Sequence, residues 1–325
     1  MHRLLSHSAF AFVLCLAVAP LALASPTYSF LSVSNPNDTT FTQLLGINNS
    51  STIAGYYGSG MTGHPNNGFT LVLPSTYTPE NFPGATQTQV IGINNTGWTD
   101  GFYVDSGGVT HGFTFNGTTF ATVDAPGTSF NQLLGINDGL TAVGYSSTDP
   151  TGATKQMSFR ESGGVFTYIT GFPSGTGNNQ AVGINKAGVV VGFYQDASNV
   201  FHGYVAKGPA ATTFDVSFSG AQGTQAFGVN NHGEMVGDYT DSMGVMHGFV
   251  YIGGFFYTVD DPKAVPGSTV INGVNDLGQL VGFYMDANNN TIGFVATPTP
   301  EPASLLLMGS GLLAGLAVFR RKLRG

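Results

Sequence analysis

Cysteine is almost missing from this chain, and so are basic residues. The single Cys15 lies in an apolar run near the N-terminus, so the rest of the 325-residue chain has no thiol. That excludes a disulfide framework and cysteine-ligated zinc, and leaves packing to stabilise the fold. Between Ser25 and Pro302 there are five basic residues, Lys155, Arg160, Lys186, Lys207 and Lys263, against eighteen acidic ones, a charge of −13 with His neutral. So acidic a chain argues against nucleic acid and anionic lipid as partners, while divalent cations, cationic surfaces and neutral glycans stay open. A single arginine in the whole central region also speaks against a sialidase, which needs several around its anionic substrate. No nucleophile elbow, P-loop, metalloprotease helix or dinucleotide fingerprint occurs. Long amphipathic helical patterns are absent as well: Gly, Asn, Thr and Phe abound, and short alternating runs separated by Gly/Asn turns predict an all-β chain.

Apolar runs occur at the two ends. Residues 1–24 combine one Arg and two His, an apolar run from Ala9 to Leu23, and Ala22-Leu23-Ala24 ahead of Ser25. This reads as an export signal peptide cleaved after Ala24, too short for a spanning helix. At the other end, Pro300-Glu301-Pro302 precedes an apolar run from Ala303 to Phe319, followed by Arg320, Arg321, Lys322 and Arg324. At about 1.5 Å per residue, that run reaches roughly 25 Å, the short limit for a transmembrane helix. The basic cluster is expected on the cytoplasmic side, with the bulk of the protein outside. Pro-Glu-Pro, an apolar helix rich in Leu and Gly, and an Arg-rich end resemble the PEP-CTERM sorting signal. That resemblance implies handling by an exosortase in bacteria that make exopolysaccharide. The partners expected are thus exosortase, the membrane through the C-terminal helix before processing, and exopolysaccharide or another glycan. It implies a route, not an activity.

Between the ends, a Gly-Ile/Val-Asn tripeptide recurs at Gly46, Gly92, Gly135, Gly183, Gly228 and Gly273, with spacings of 46, 43, 48, 45 and 45 residues. Each copy continues into a polar turn, a Val-Gly-x-Tyr-like strand, a second turn often begun by Asp, a His-Gly-Phe-like strand and an aromatic strand. Four short strands per forty-odd residues predict a propeller blade, with strands A to D counted outward from the axis. The sixth copy stops after Ile292-Gly293-Phe294-Val295 and lacks strand D. Phe30-Leu31-Ser32-Val33-Ser34-Asn35-Pro36 matches the strand D of a later copy, Phe120 to Pro126. The expectation is therefore a six-bladed β-propeller over 25–297, with the N-terminal strand completing the last blade, and a sorting tail over 298–325. The glycine of each tripeptide, at the end of strand A, suits close packing near the axis. The repeats also resemble the HAF family of bacterial extracellular repeats, which brings no activity to particular residues. The first, third and sixth copies depart from it by lacking the histidine.

The acidic residues point to one face. Asp105, Asp196, Asp241 and Asp286 fall in B–C turns, and Asp124, Asp260 and Asp261 in or beside D–A connections, so that face is the expected ligand face. Against this stands the turn chemistry of Asp and Asn, which accept backbone hydrogen bonds and tolerate left-handed backbone. Asp286, Asn288 and Asn290 alternate like calcium ligands but lack the glycine and distal glutamate of a calcium loop, so no cofactor is expected beyond a weak calcium candidate. His111, His202 and His247 occupy equivalent places in separate blades. They are expected to be structural, bonded to carboxylates such as Asp124 or Asp260, rather than metal ligands. Strand A carries Gln43, Gln89, Gln132, Gln180 and Gln225 and no carboxylate, where a propeller glycosidase would place its acids. The reading is a non-enzymatic binding or structural module of the cell surface or exopolysaccharide matrix, whose glutamine and asparagine rings and aromatics suit neutral glycan. The alternative is an extracellular carbohydrate-active hydrolase using carboxylates of the acidic face.

Overall fold

The computed structural model describes residues 25–218 and 220–299. The signal segment, Cys15, Pro300-Glu301-Pro302, the apolar C-terminal run and the basic end lie outside the described residues. Six four-stranded antiparallel sheets are arranged as blades. In blade 1, strands A to D are Thr42–Ile47, Thr52–Tyr57, Asn67–Val72 and Thr76–Pro79. Strands A of blades 2 to 6 are Gln87–Ile93, Phe130–Ile136, Asn179–Ile184, Gly223–Val229 and Val270–Val274.

Local chemistry explains the blades. Glycine pairs close the C–D hairpins of blades 3 and 5, where Gly163 and Gly164 (φ 60° and 86°) and Gly253 and Gly254 (φ 60° and 93°) give the double positive φ that a two-residue hairpin needs. Strand B is buried on both faces because blades pack against one another, which is why runs such as Val189-Val190-Val191 replace alternation there. Each strand C carries one fully buried aromatic, Phe69, Phe113, Phe159, Tyr204, Phe249 or Phe294, in the same register position.

Strand A is bulged in every blade, at Leu44/Gly46 and the five equivalent places. The extra residue lets the tripeptide glycine face its neighbour across the blade boundary. A Cβ on Gly46 would meet the carbonyl oxygen of Ile91 at 2.7 Å, one on Gly183 that of Phe227 at 2.7 Å, and one on Gly273 that of Leu45 at 2.8 Å. Six backbones therefore touch edge to edge around the axis, and only glycine permits it.

The ring closes as the sequence predicts, to the residue. Strand D of blade 6 is Tyr28–Val33, paired antiparallel with strand C, Thr291–Pro298, in a register running from Tyr28↔Pro298 to Val33↔Gly293. The equivalent pairing in blade 2 is Gly112↔Val123, so Val33 stands where Val123 stands. Ser32 Oγ and Tyr284 Oη lie 3.0 Å apart, and Val33, Leu44, Phe69, Val281 and Val295 form one core cluster spanning blades 6 and 1. Strand C continues through Pro298, beyond Thr297, and the Thr299 amide donates to the Thr27 carbonyl at 2.9 Å.

Candidate functional site

Alternate residues of the six strands A line an axial funnel of ≈ 340 Å³. Each strand A runs from its D–A connection to its A–B turn, so the residues met first, Gln43, Gln89, Gln132 and Gln180, ring a mouth on the face of the B–C turns. Phe102, Phe193, Phe227 and Asn272 stand in the wall, and a ring of Ile47, Ile93, Ile136, Ile184, Val229 and Val274 forms the waist. No lining residue is ionisable. Below the waist the space narrows to ≈ 70 Å³ between two polar rings.

The first polar ring is built from the tripeptide asparagines. Asn48 Nδ2 donates to the Asn94 carbonyl at 3.1 Å, Asn94 to Asn137 at 3.0 Å, Asn137 to Asn185 at 3.1 Å, and Asn185 to Asn230, Asn230 to Asn275 and Asn275 to Asn48 at 3.0 Å each. Each Oδ1 also caps its own turn, as Asn137 Oδ1 does for the amides of Gly139 and Thr141. These side chains fasten blade to blade, which corrects the expectation that the asparagine ring serves a glycan: both ends of each amide are already engaged. The second ring, through Asn49, Asn95, Asp138, Asn231 and Asp276, is interrupted at Lys186, whose side chain has no acceptor. At that junction Arg160 of blade 3 reaches the Gly188 and Ala206 carbonyls of blade 4 at 2.8 and 2.7 Å.

The glutamines at the mouth differ among themselves. Gln43 Oε1 accepts from Tyr56 Oη at 2.8 Å, Gln89 Nε2 donates to Asn66 Oδ1 at 2.8 Å, and Gln180 Nε2 to Gln156 Oε1 at 2.9 Å. Gln132 and Gln225 make no side-chain hydrogen bond among the described residues, and blade 6 has Val270 at this position.

Two buried carboxyls near the axis escaped the sequence reading. Asp100 is fully buried; burial pushes its carboxyl up to about 8, although the Gly92 amide donates to Oδ1 at 2.9 Å. Asp238 is 6 % exposed, and burial raises it to about 7. It occupies the strand B position that is aromatic in every other blade, as Tyr56, Phe102, Tyr145, Phe193 and Phe283. Aligning the repeats shows that substitution; its burial needs the fold.

The acidic residues of the mouth face are held by local structure. Asp105 Oδ1 accepts the Gly107 and Val109 amides at 2.8 and 2.9 Å, and Asp196 and Asp241 do the same in their turns. The Val109 amide is the main cause holding Asp105 below the usual carboxylate range. Each turn Asp also faces a histidine. His111 Nδ1 is 2.6 Å from Asp124 Oδ2 with Nε2 3.5 Å from Asp105, and His247 bridges Asp260 at 2.7 Å and Asp241 at 3.5 Å. His202 bridges Asp215 at 2.9 Å and Asp196 at 3.5 Å. A tyrosine ring, Tyr103, Tyr194 or Tyr239, stacks on each imidazole at 5.1 to 5.3 Å. Asp215 was not singled out, yet the thirteen-residue step from His to Asp is the same in all three. For His247, burial opposes protonation, but Asp260 and then Asp241 outweigh it and raise its pKa. Asp261 lies apart from this clamp, buried, with its Oδ1 accepting the Lys263 amide at 2.8 Å.

Asp286 Oδ1 accepts the amides of Asn288 and Asn290 at 2.8 and 2.9 Å, and its Oδ2 accepts from Asn290 Nδ2 at 3.0 Å. The loop that carries the calcium candidate Asp286, Asn288 and Asn290 is thus closed as an Asx turn. Among the described residues, no group of three or more His, Cys, Asp or Glu side chains is arranged to hold a metal ion, the three His–Asp clamps included.

The fold and funnel define a six-bladed propeller with one axial cleft. AofleA from Arthrobotrys oligospora, in an arginine-to-alanine variant, is similar at 9 % identity and a TM-score of 0.51 over 85 % of this chain and 90 % of that one. The Aleuria aurantia lectin, in complex with Fucα1-6GlcNAc, is similar at 12 % identity and 0.49 over 81 % and 97 %. TolB from Acinetobacter baumannii is similar at 9 % identity and 0.49 over 76 % and 64 %. Likeness at this level concerns fold alone. No curated protein matches the chain. The PEP-CTERM protein-sorting motif matches residues 298–322, which marks an exported surface protein handled by an exosortase through its C-terminal tail.

Proposed function

We propose that the protein is a non-enzymatic binding module of the cell surface or exopolysaccharide matrix, built from HAF-type repeats, that holds a neutral glycan terminus in the axial funnel. The observation that carries this reading is the lining: amides at the mouth, aromatic and aliphatic walls, and no ionisable side chain. A funnel of this size falls within the usual range for small-ligand sites, apolar with a few polar groups to orient the ligand. Amides orient hydroxyls, and aromatic faces accept the C–H face of a sugar ring. Gln132, free of internal partners, is the amide best placed to exchange water for a ligand hydroxyl. A glycan array probed with purified propeller tests this: retention of a neutral glycan, weakened in Gln132→Ala and lost in Phe227→Ala at unchanged melting temperature, is expected. An array on which nothing is retained would leave a purely structural role.

One observation favours the hydrolase alternative. Burial raises the Asp238 carboxyl to about 7, the range a general acid uses, and Asp238 holds the strand B position that Phe102 and Phe193 hold in the funnel wall. A glycosidase needs a second carboxylate beside it, and the lining supplies none. Release of reducing ends from exopolysaccharide by the wild type but not by Asp238→Asn would establish that alternative.

A further inference from the structure

The chain leaves the propeller at a defined place. Strand C of blade 6 starts at the mouth face, where Thr291 bridges Phe41, and ends at Pro298 on the opposite face. Pro298 packs there on the last A–B turn: a Cβ on Gly278 would meet its Cγ at 3.2 Å. Thr299 is still tied to Thr27. The sorting motif begins at residue 298, so it starts at the last residue of strand C of blade 6, the partner of the ring-closing strand, with no linker between.

Length then restricts orientation. Three residues, Pro300, Glu301 and Pro302, separate Thr299 from the apolar run beginning at Ala303. Fully extended, they reach roughly 10 Å. A six-residue strand is about 20 Å long, so the tether is too short to climb a blade and bring the mouth to the surface that holds the tail.

Charge sorts the two faces the same way. Counting each residue with the nearer face, the mouth face carries twelve acidic and two basic residues among those described, and the narrow-end face five acidic and three basic, the latter being Arg160, Lys186 and Lys207. An anionic lipid surface repels the first far more than the second. The overall acidity that argues against lipid binding is therefore concentrated on the mouth face.

We infer that the narrow-end face, made of the A–B and C–D turns, is the one seated against the lipid surface that holds the tail, and that the funnel mouth faces outward. The site is thereby presented to soluble or matrix-borne ligand. The inference concerns orientation and stands whether or not the funnel binds glycan.

The test uses the chain from Ser25 onward, which contains no cysteine, in phosphatidylcholine vesicles containing phosphatidylglycerol, with one fluorophore per variant. Leu277→Cys marks an A–B turn and Met243→Cys a B–C turn, positions 61 % and 82 % exposed. Headgroup-labelled nitroxide lipid should quench the label at 277 several-fold more than the label at 243. A flexible insertion of about twelve residues after Thr299, with a root-mean-square span near 20 Å, should largely erase that contrast. Equal quenching at both sites in the uninserted chain, or stronger quenching at 243, would overturn the inference, and a contrast that survives the insertion would overturn the tether as its cause.

Discussion

The two ends of the propeller axis obey different rules. At the narrow end all six blades present the same glycine and the same asparagine, and every asparagine makes the same two kinds of bond. At the mouth the blades differ: five glutamines and a valine in one position, five aromatics and Asp238 in another, and histidine clamps in blades 2, 4 and 5 only. Rotational closure requires identical contacts, so positions that repeat without exception serve the ring. Positions that break the repeat are released from that duty, and a ligand without sixfold symmetry is what such a rim suits.

The largest effect is expected where the repetition is strict. Gly183→Val would drive a side chain into the Phe227 carbonyl and the Gly228 backbone, with a loss on the order of 3 kcal/mol or failure to fold, read by urea denaturation. Asn137→Ala should come next. It removes the bond to Asn185 and uncaps the Gly139 and Thr141 amides, a cost of about 2 kcal/mol. Gln132→Ala, at the mouth, should shift stability by less than about 0.5 kcal/mol while weakening glycan retention roughly tenfold, the loss of one good hydrogen bond. If Gln132→Ala destabilised as much as Asn137→Ala, the division between the two ends would fail.

How much of this was legible beforehand depends on whether the signal was periodic. The orphan strand was readable because Phe30, Val33 and Pro36 repeat the spacing of Phe120, Val123 and Pro126, and a closed ring has one place for it. The glycine was readable for the same reason. The asparagine ring was not, because its bonds join residues forty-odd positions apart and sequence does not show which atoms meet. Asp105, Asp196, Asp241 and Asp286 read in sequence as a ligand face, and the fold adds that the Oδ1 of each accepts amides of its own turn, a use that resembles ligation in sequence. Asp215 shared the thirteen-residue step of Asp124 and Asp260 and could have been named from it.

Smaller effects follow at the rim. The raised pKa of His247 means that its clamp contributes stability below the unfolded value of about 6.5 and loses it as pH rises through the folded value. With its side chain a quarter exposed, the effect should stay below about 1 kcal/mol, seen as a small fall in melting temperature between mildly acidic and alkaline buffer that His247→Gln abolishes. The lowered values of Asp105, Asp196 and Asp241 act oppositely, with support present above the usual carboxylate pKa and lost on acidification. Smallest of all is the response to calcium: because Asp286 is engaged by its own loop, millimolar calcium should leave the melting temperature unchanged, and a clear rise would reinstate the loop as a site.

Stoichiometry tests the central claim most directly. Sites between blades would occur several times per molecule, whereas an axial funnel occurs once. Isothermal titration of the propeller with the glycan it retains on an array should give one equivalent per chain, abolished by Phe227→Ala. Several equivalents, or one that survives Phe227→Ala, would contradict it.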